Sequence, residues 1–243
     1  MEVIDILIIG GGPAGISTAL HLVQSAPHFA SRILVLEKAH YPRPKLCGGA
    51  LVEDAEILLE KLGLDVNEIP SVIVKTLHLN YKGKGVRYSH RRGYALRIIQ
   101  RDEFDAWLAN KAMDKGISIK EGICVLDLQV EDDHVFVHTD HGDILAQVVV
   151  GADGSNGPTR QSIFPKTTTN KARLLEVLTP NSDQKSDSNA FFDFLPTSQD
   201  IAGYIWNFPT QIDGQSIRSR ARECVRMSSS CSGLLLLPEK CVD

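Results

Sequence analysis

Ile6-Leu7-Ile8-Ile9-Gly10-Gly11-Gly12-Pro13-Ala14-Gly15 is the stretch that decides the fold. Its apolar, largely β-branched run ends in glycine and reads as a buried parallel strand. Pro13 and Ala14 then open a helix in which Ile16, Ala19, Leu20 and Val23 recur at helical spacing. Between them Gly10 makes a tight turn, Gly12 admits a phosphate to the backbone, and Gly15 lets helix and strand pack closely. Such a turn holds a pyrophosphate on backbone N–H groups at the positive end of a helix. Ser31–Glu37, with Ile33-Leu34-Val35-Leu36, supplies the next strand and completes a right-handed βαβ unit. Glu37 closes that strand where a carboxylate accepts hydrogen bonds from an adenosine ribose, with Lys38 beside it.

A second glycine turn follows about 140 residues later, in Val148-Val149-Val150-Gly151-Ala152-Asp153-Gly154-Ser155. It fits a strand end that brings Asp153 and Gly154 to the same ligand. Between the two turns, Arg101-x-x-Phe104-Asp105-x-Trp107-Leu108 starts a helix, where an arginine can reach a pyrophosphate or ribose from the other side. A simple NAD domain has no need of a second aspartate from a distant strand. The cofactor expected is therefore FAD.

At 243 residues, 43% hydrophobic and 23% charged, the composition is that of a soluble protein with a substantial core. A net charge of −4 favours neither nucleic acid nor an anionic membrane. The cluster Lys82, Lys84, Arg87, Arg91, Arg92 reads as a solvated hairpin. Five cysteines without a C-x-x-C pair suit reduced thiols in a cytoplasm, and the acidic Glu2 and Asp5 argue against a signal peptide. No apolar run reaches the roughly 18 residues of a transmembrane segment. His138-x-x-His141 has no third ligand nearby, so no metal is expected.

The chain divides, on this reading, into FAD-binding segments at 1–70 and 101–165 and substrate-domain segments at 71–100 and 166–212. The fold class is α/β: a Rossmann-like FAD-binding domain, a βαβ unit on a parallel sheet, interrupted by a mixed β-sheet substrate domain. Helices are expected at Glu53–Lys61 and Arg101–Lys115, and strands at Val72–Asn80, Gly85–His90 and in a run from Ile117 to Val150. Residues 213–243 hold three of the five cysteines, a serine run and several arginines with no amphipathic period. They are expected to be an atypical tail, disordered or out of frame, that adds little stability.

These three segments, with Arg160 closing the third, resemble the flavoprotein monooxygenase and geranylgeranyl reductase superfamily, whose fold is that of hydroxybenzoate hydroxylase. The resemblance implies that Asp153 serves the ribityl–pyrophosphate region of FAD; Gly157 stands where serine is usual. Tyr41-Pro42-Arg43-Pro44-Lys45-Leu46-Cys47-Gly48-Gly49-Ala50 is similar to the P-R-x-K-x-C-G-G loop of geranylgeranyl reductases, which passes the isoalloxazine. Gly48 and Gly49 would let backbone amides approach the flavin. Cys47 is either a reactive thiol made electropositive by Arg43 and Lys45 or a small packed residue.

Gly203-Tyr204-Ile205-Trp206-Asn207-Phe208-Pro209 is similar to the Y-x-W-x-F-P segment of the same reductases. Strand alternation puts Tyr204, Trp206 and Phe208 on one face, a wall suited to an apolar substrate or simply to a core. Halogenases of the superfamily carry W-x-W-x-I-P there, which Tyr204 and Phe208 do not match. The implied activity is FAD-dependent reduction of an isoprenoid C=C bond with NAD(P)H as donor, with peripheral membrane access for a lipid substrate. An aromatic monooxygenase and an inactive, C-terminally truncated flavoprotein remnant are the alternatives, the latter because the superfamily's later G-D-A-A-G-type segment has no counterpart here.

Overall fold

The computed structural model describes residues 2–89, 93–164, 172–180, 188–199, 203–212 and 215–225. In chain order its elements begin with β1 (Glu2–Ile9), α1 (Pro13–Ser25), β2 (Ile33–Glu37), β3 (Ala50–Leu51), α2 (Glu53–Lys61) and β4 (Ser71–Val74). Next come β5 (Thr76–Tyr81), β6 (Lys84–Tyr88), β7 (Leu96–Ile99), α3 (Arg101–Asp114), β8 (Ser118–Glu121) and β9 (Val125–Val130). They end with β10 (Val135–Thr139), β11 (Gly142–Gly151), α4 (Pro158–Ile163), β12 (Ala172–Pro180), β13 (Asn189–Asp193), β14 (Ile205–Ile212) and β15 (Gln215–Val225).

The first sheet has the order β8-β2-β1-β11-β10-β9. Its first four strands are parallel, and β10 and β9 continue it antiparallel. The apolar run of β1 is continuous because both its faces are covered. Ile8 packs with Ile16 and Leu20 of α1 and Phe104 and Leu108 of α3. Leu7 and Ile9 point the other way, onto Leu34, Leu36, Val137 and Ala146. The chain leaves β1 between β2 and β11, the kind of switch point where open α/β sheets bind nucleotides.

The second sheet is mixed, in the order β12-β15-β14-β13-β5-β6, with β13 parallel to β5 and the rest antiparallel. A small sheet, β3-β7-β4, bridges the two layers, so the segment 71–100 is shared between two sheets. Its interior is polar and fully partnered at one corner. Arg97, buried, donates to Glu56 Oε1 at 3.1 Å, Ser71 Oγ at 2.8 Å and Asn67 Oδ1 at 3.0 Å, while Tyr94 donates to Glu56 Oε2 at 2.9 Å.

The fold class is the one expected from the sequence. The expectation for residues 213–243 needs correction. Gln215–Val225 is an interior strand paired with β14 on one side and β12 on the other. Its arginine- and serine-rich run shows no apolar alternation, yet Arg218 and Ser219 are each only 3% exposed. Arg218 stays satisfied by donating to Asn207 Oδ1 at 2.9 Å, to the Asn207 carbonyl at 3.1 Å and to the Asn189 carbonyl at 3.2 Å. Residues 226–243, with Cys231 and Cys241, lie outside the described residues, as do Arg91 and Arg92 of the basic cluster.

Candidate functional site

The two glycine turns meet. Ile9 pairs in register with Leu36 on one side and Gly151 on the other. The Gly10 N–H donates to the Leu36 carbonyl and the Ala152 N–H to the Ile9 carbonyl, both at 2.8 Å. Gly10 has φ +105°, and a Cβ there would stand 2.4 Å from the Ala152 carbonyl oxygen. Glycine is thus required for turn and contact together. Helix α1 starts at Pro13 behind Gly12, with no side-chain cap and no acidic residue in its first turn. Pro13 and Ala14 therefore present a helix N-terminus whose positive end is not neutralised from within. Gly15 lies against the Gly10 carbonyl, as close helix–strand packing demands.

Glu37 is 5% exposed and accepts from the Gly11 N–H at 3.0 Å and the Ala39 N–H at 3.1 Å. Lys38, next to it, is exposed. The Tyr41 hydroxyl donates to the Gly11 carbonyl, fastening the following loop to the turn. Burial, and after it the Glu37 carboxylate, raises the Tyr41 phenol above its ordinary 10.0, so it remains a neutral donor. Arg43 Nη2 lies 3.4 Å from Glu37 Oε2 and 3.3 Å from Asp105 Oδ2. Asp105, 1% exposed, also receives Arg101 Nε at 2.9 Å and Nη2 at 3.1 Å. One buried carboxylate thereby holds two guanidinium groups, one from its own helix and one from the loop after β2.

Arg43 and Asp105 were not among the expected cofactor residues. Asp105 sits four residues after Arg101 on the helix, a spacing that signals a pair. Arg43 is a charged residue between two prolines, but nothing in the sequence says which way its side chain turns. Its guanidinium turns to Glu37 and Asp105, while Arg101 lies within hydrogen-bonding reach of Cys47.

Cys47 is exposed and lines a cavity of about 260 Å³ with Lys45, Arg101, Glu176, Thr210 and Ser219. Behind it Gly48 packs on the second sheet: a Cβ there would be 2.8 Å from Trp206 Nε1 and 3.0 Å from Phe208. Gly49 (φ +71°) abuts the Ile99 carbonyl and accepts the Ile99 N–H at 3.0 Å. Protein packing alone is enough to exclude a side chain at 48 and 49. Trp206 and Phe208 are 6% and 2% exposed and belong to a core with Val74, Leu96 and Ile98, where partly buried Tyr204 joins them. Their face of β14 is a packed wall behind the cavity, and Thr210, next in the alternation, is the residue of that strand lining it.

On the other side, Ala14, Asp153, Gly154 and Arg160 line a cavity of about 740 Å³. Asp153 Oδ2 accepts the Thr159 N–H at 2.9 Å, at the start of α4. The space beside Gly157 is filled by this carboxylate, whose Cγ would be 2.0 Å from an added Cβ. The serine usual at 157 has no room while Asp153 caps α4.

These residues fit FAD. Arg43 Nε is buried without a hydrogen-bond partner among the described residues, an orphan that a ligand oxygen would satisfy. The uncapped α1 start suits a pyrophosphate, and Glu37, held on the turn, suits an adenosine ribose. FAD would supply the redox chemistry that these side chains lack.

Comparison with known proteins points the same way. A family described as FAD binding domain matches residues 3–227. An uncharacterised protein of Methanosarcina barkeri is 28% identical over 210 residues, 86% of this chain and 52% of that protein. Protein CbrA of Escherichia coli is 30% identical over 180 residues, 68% of this chain and 47% of its own length. The chain spans about half the length of the curated relatives it matches. Among solved structures, a geranylgeranyl bacteriochlorophyll reductase-like protein of Thermoplasma acidophilum has a TM-score of 0.75 at 20% identity, covering 93% of this chain and 57% of that one. The p-nitrophenol 4-monooxygenase of Pseudomonas putida has a TM-score of 0.70 at 20% identity, covering 94% and 60%. At such identities the two structures share the fold. With the glycine turns, Glu37 and the Arg43–Asp105–Arg101 bridge assembled around one groove, the match over residues 3–227 makes this chain a member of the FAD-binding domain family.

Proposed function

We propose that the chain is the FAD-binding and substrate-facing part of an oxidoreductase that reduces a C=C bond of an isoprenoid, with NAD(P)H as electron donor. The observation that carries this reading is the contact between the two segments that resemble geranylgeranyl reductases. Gly48 of the Pro42–Gly49 loop lies directly on Trp206 and Phe208 of β14, and the cavity opens beside that contact. Segments 150 residues apart in sequence thus build one site on either side of Cys47. The solved reductase-like protein of Thermoplasma acidophilum has the same fold, which supports the reading without assigning a substrate.

When bound and reduced, FAD would supply the hydride. The chain's part is to hold the alkene against that cofactor and to exclude water. Leu46, Ile99 and Leu178 give the cavity its apolar contacts, and each buried CH₂ of a prenyl chain adds about 0.8 kcal/mol of binding. No helix among the described residues is long and apolar enough to cross a membrane.

The test follows reduction and reoxidation of bound flavin separately. Geranylgeranyl compounds are expected to reoxidise reduced flavin without oxygen, with two hydrogens added to the product. Reoxidation that requires oxygen and a hydroxybenzoate or nitrophenol, with one oxygen atom added, would replace this reading with a monooxygenase.

A further inference from the structure

Ser219, at 3% exposure, connects the core of the second sheet to the cavity. Its Oγ accepts from Trp206 Nε1 at 3.3 Å and donates to Glu176 Oε1 at 2.6 Å. An indole N–H can only donate, and a hydroxyl has one hydrogen, so the chain has a single direction: Trp206 to Ser219 to Glu176. Glu176 Oε1 is therefore an acceptor, and a proton carried by this carboxyl resides on Oε2. Glu176 stands on β12, opposite Ala221 of β15, and lines the same cavity as Cys47, in the loop before β3, and Arg101, at the start of α3. The other charged or titratable groups lining it are Lys45 and Asp102.

We infer that Glu176 is the proton donor of this site, protonating one alkene carbon while the other receives hydride; this rests on the reductase reading above. The π bond breaks and two C–H bonds form. The hydride, carrying two electrons, comes from reduced FAD, and the proton comes from Glu176 Oε2 and is later replaced from water. An apolar chain beside Leu46, Ile99 and Leu178 would displace water from the cavity that Glu176 lines, so the transferred proton would have to come from the protein. The carboxylate left after transfer keeps the Ser219 hydroxyl as its donor, and Lys45 and Arg101 line the same cavity.

The first readout needs no turnover. Geranylgeraniol is titrated into the FAD-loaded chain by calorimetry, and Glu176→Gln, which keeps the shape of the side chain, is expected to bind it with an affinity within a few-fold of the wild type. In anaerobic single turnover, reoxidation of pre-reduced flavin by geranylgeraniol is expected to slow by on the order of 100-fold or more in Glu176→Gln. Glu176→Ala is expected to recover in part with added formate, and Ser219→Ala to shift the pH profile of reoxidation. Reduction of the flavin by its donor should be unchanged in each. Wild-type reoxidation rates in Glu176→Gln, or a loss of rate explained wholly by lost geranylgeraniol binding, would overturn the assignment and leave the reductase reading standing. A wild type that prenyl compounds neither bind nor reoxidise would overturn both.

Discussion

Asp153 and Gly157 illustrate how closely single atoms are specified here. The Asp153 carboxylate caps α4 through the Thr159 N–H, and it does so in space that any side chain at 157 would take. The backbone at 157 has φ −71° and would accept alanine, so the obstacle is contact alone. Gly157→Ala is expected to push the carboxylate off Thr159 and cost about 0.5–2 kcal/mol, the usual worth of an N-cap. In an Asp153→Ala background the same substitution should cost far less, since the capping bond is already gone. Urea denaturation of the four-protein cycle measures the coupling. Additive effects would show that the two positions do not compete for this space. At the same scale Arg43 was invisible in the sequence as a groove residue. A side chain in an irregular loop takes its direction from tertiary partners, here Glu37 and Asp105, and no period of its own predicts it.

At the level of elements, those with a strong local period were legible. The β1–α1–β2 unit and α3 follow from apolar spacing and from glycine or proline at their ends, and the observed bounds lie within a few residues of those expected. Strand β15 was not legible, because its buried residues are Arg218 and Ser219, paired with polar atoms of neighbouring strands. Burial through hydrogen bonds leaves no apolar signal. β15 lies between β14 and β12, so deleting everything after Asp213 would detach β12 and leave the edge of β14 unpaired. That truncation is expected to remove more than about 2 kcal/mol and lower Tm by roughly 5 °C or more. An unchanged melting curve would return residues 213–243 to the status of a dispensable tail. Gly48 and Gly49 carry a related lesson. The sequence marks them as places where something comes close, and only the fold says that the close neighbours are Trp206, Phe208 and Ile99.

For the whole molecule, the decisive arrangement is a nucleotide-binding sheet and a mixed sheet joined by a small third sheet, with one cavity at Ala14 and Asp153 and another at Cys47 and Glu176. Proximity of the Gly10 and Gly151 turns was readable, since both follow parallel strands that end level with each other. The bridge from Glu37 through Arg43 and Asp105 to Arg101 was not, because it joins β2, a loop and α3 through side chains alone. Its consequence is that cofactor binding depends on residues far apart in sequence acting together. Equilibrium titration of FAD, followed by quenching of flavin fluorescence, tests this most directly when the chain is compared with Glu37→Ala, both shown to be folded by circular dichroism. The wild type is expected to bind FAD, with ADP competing, and Glu37→Ala to bind it about 1–3 kcal/mol more weakly, the worth of charge-assisted hydrogen bonds. Equal FAD affinity in the two proteins, or no FAD binding by the wild type, would contradict the placement of FAD on the Gly10–Gly15 turn.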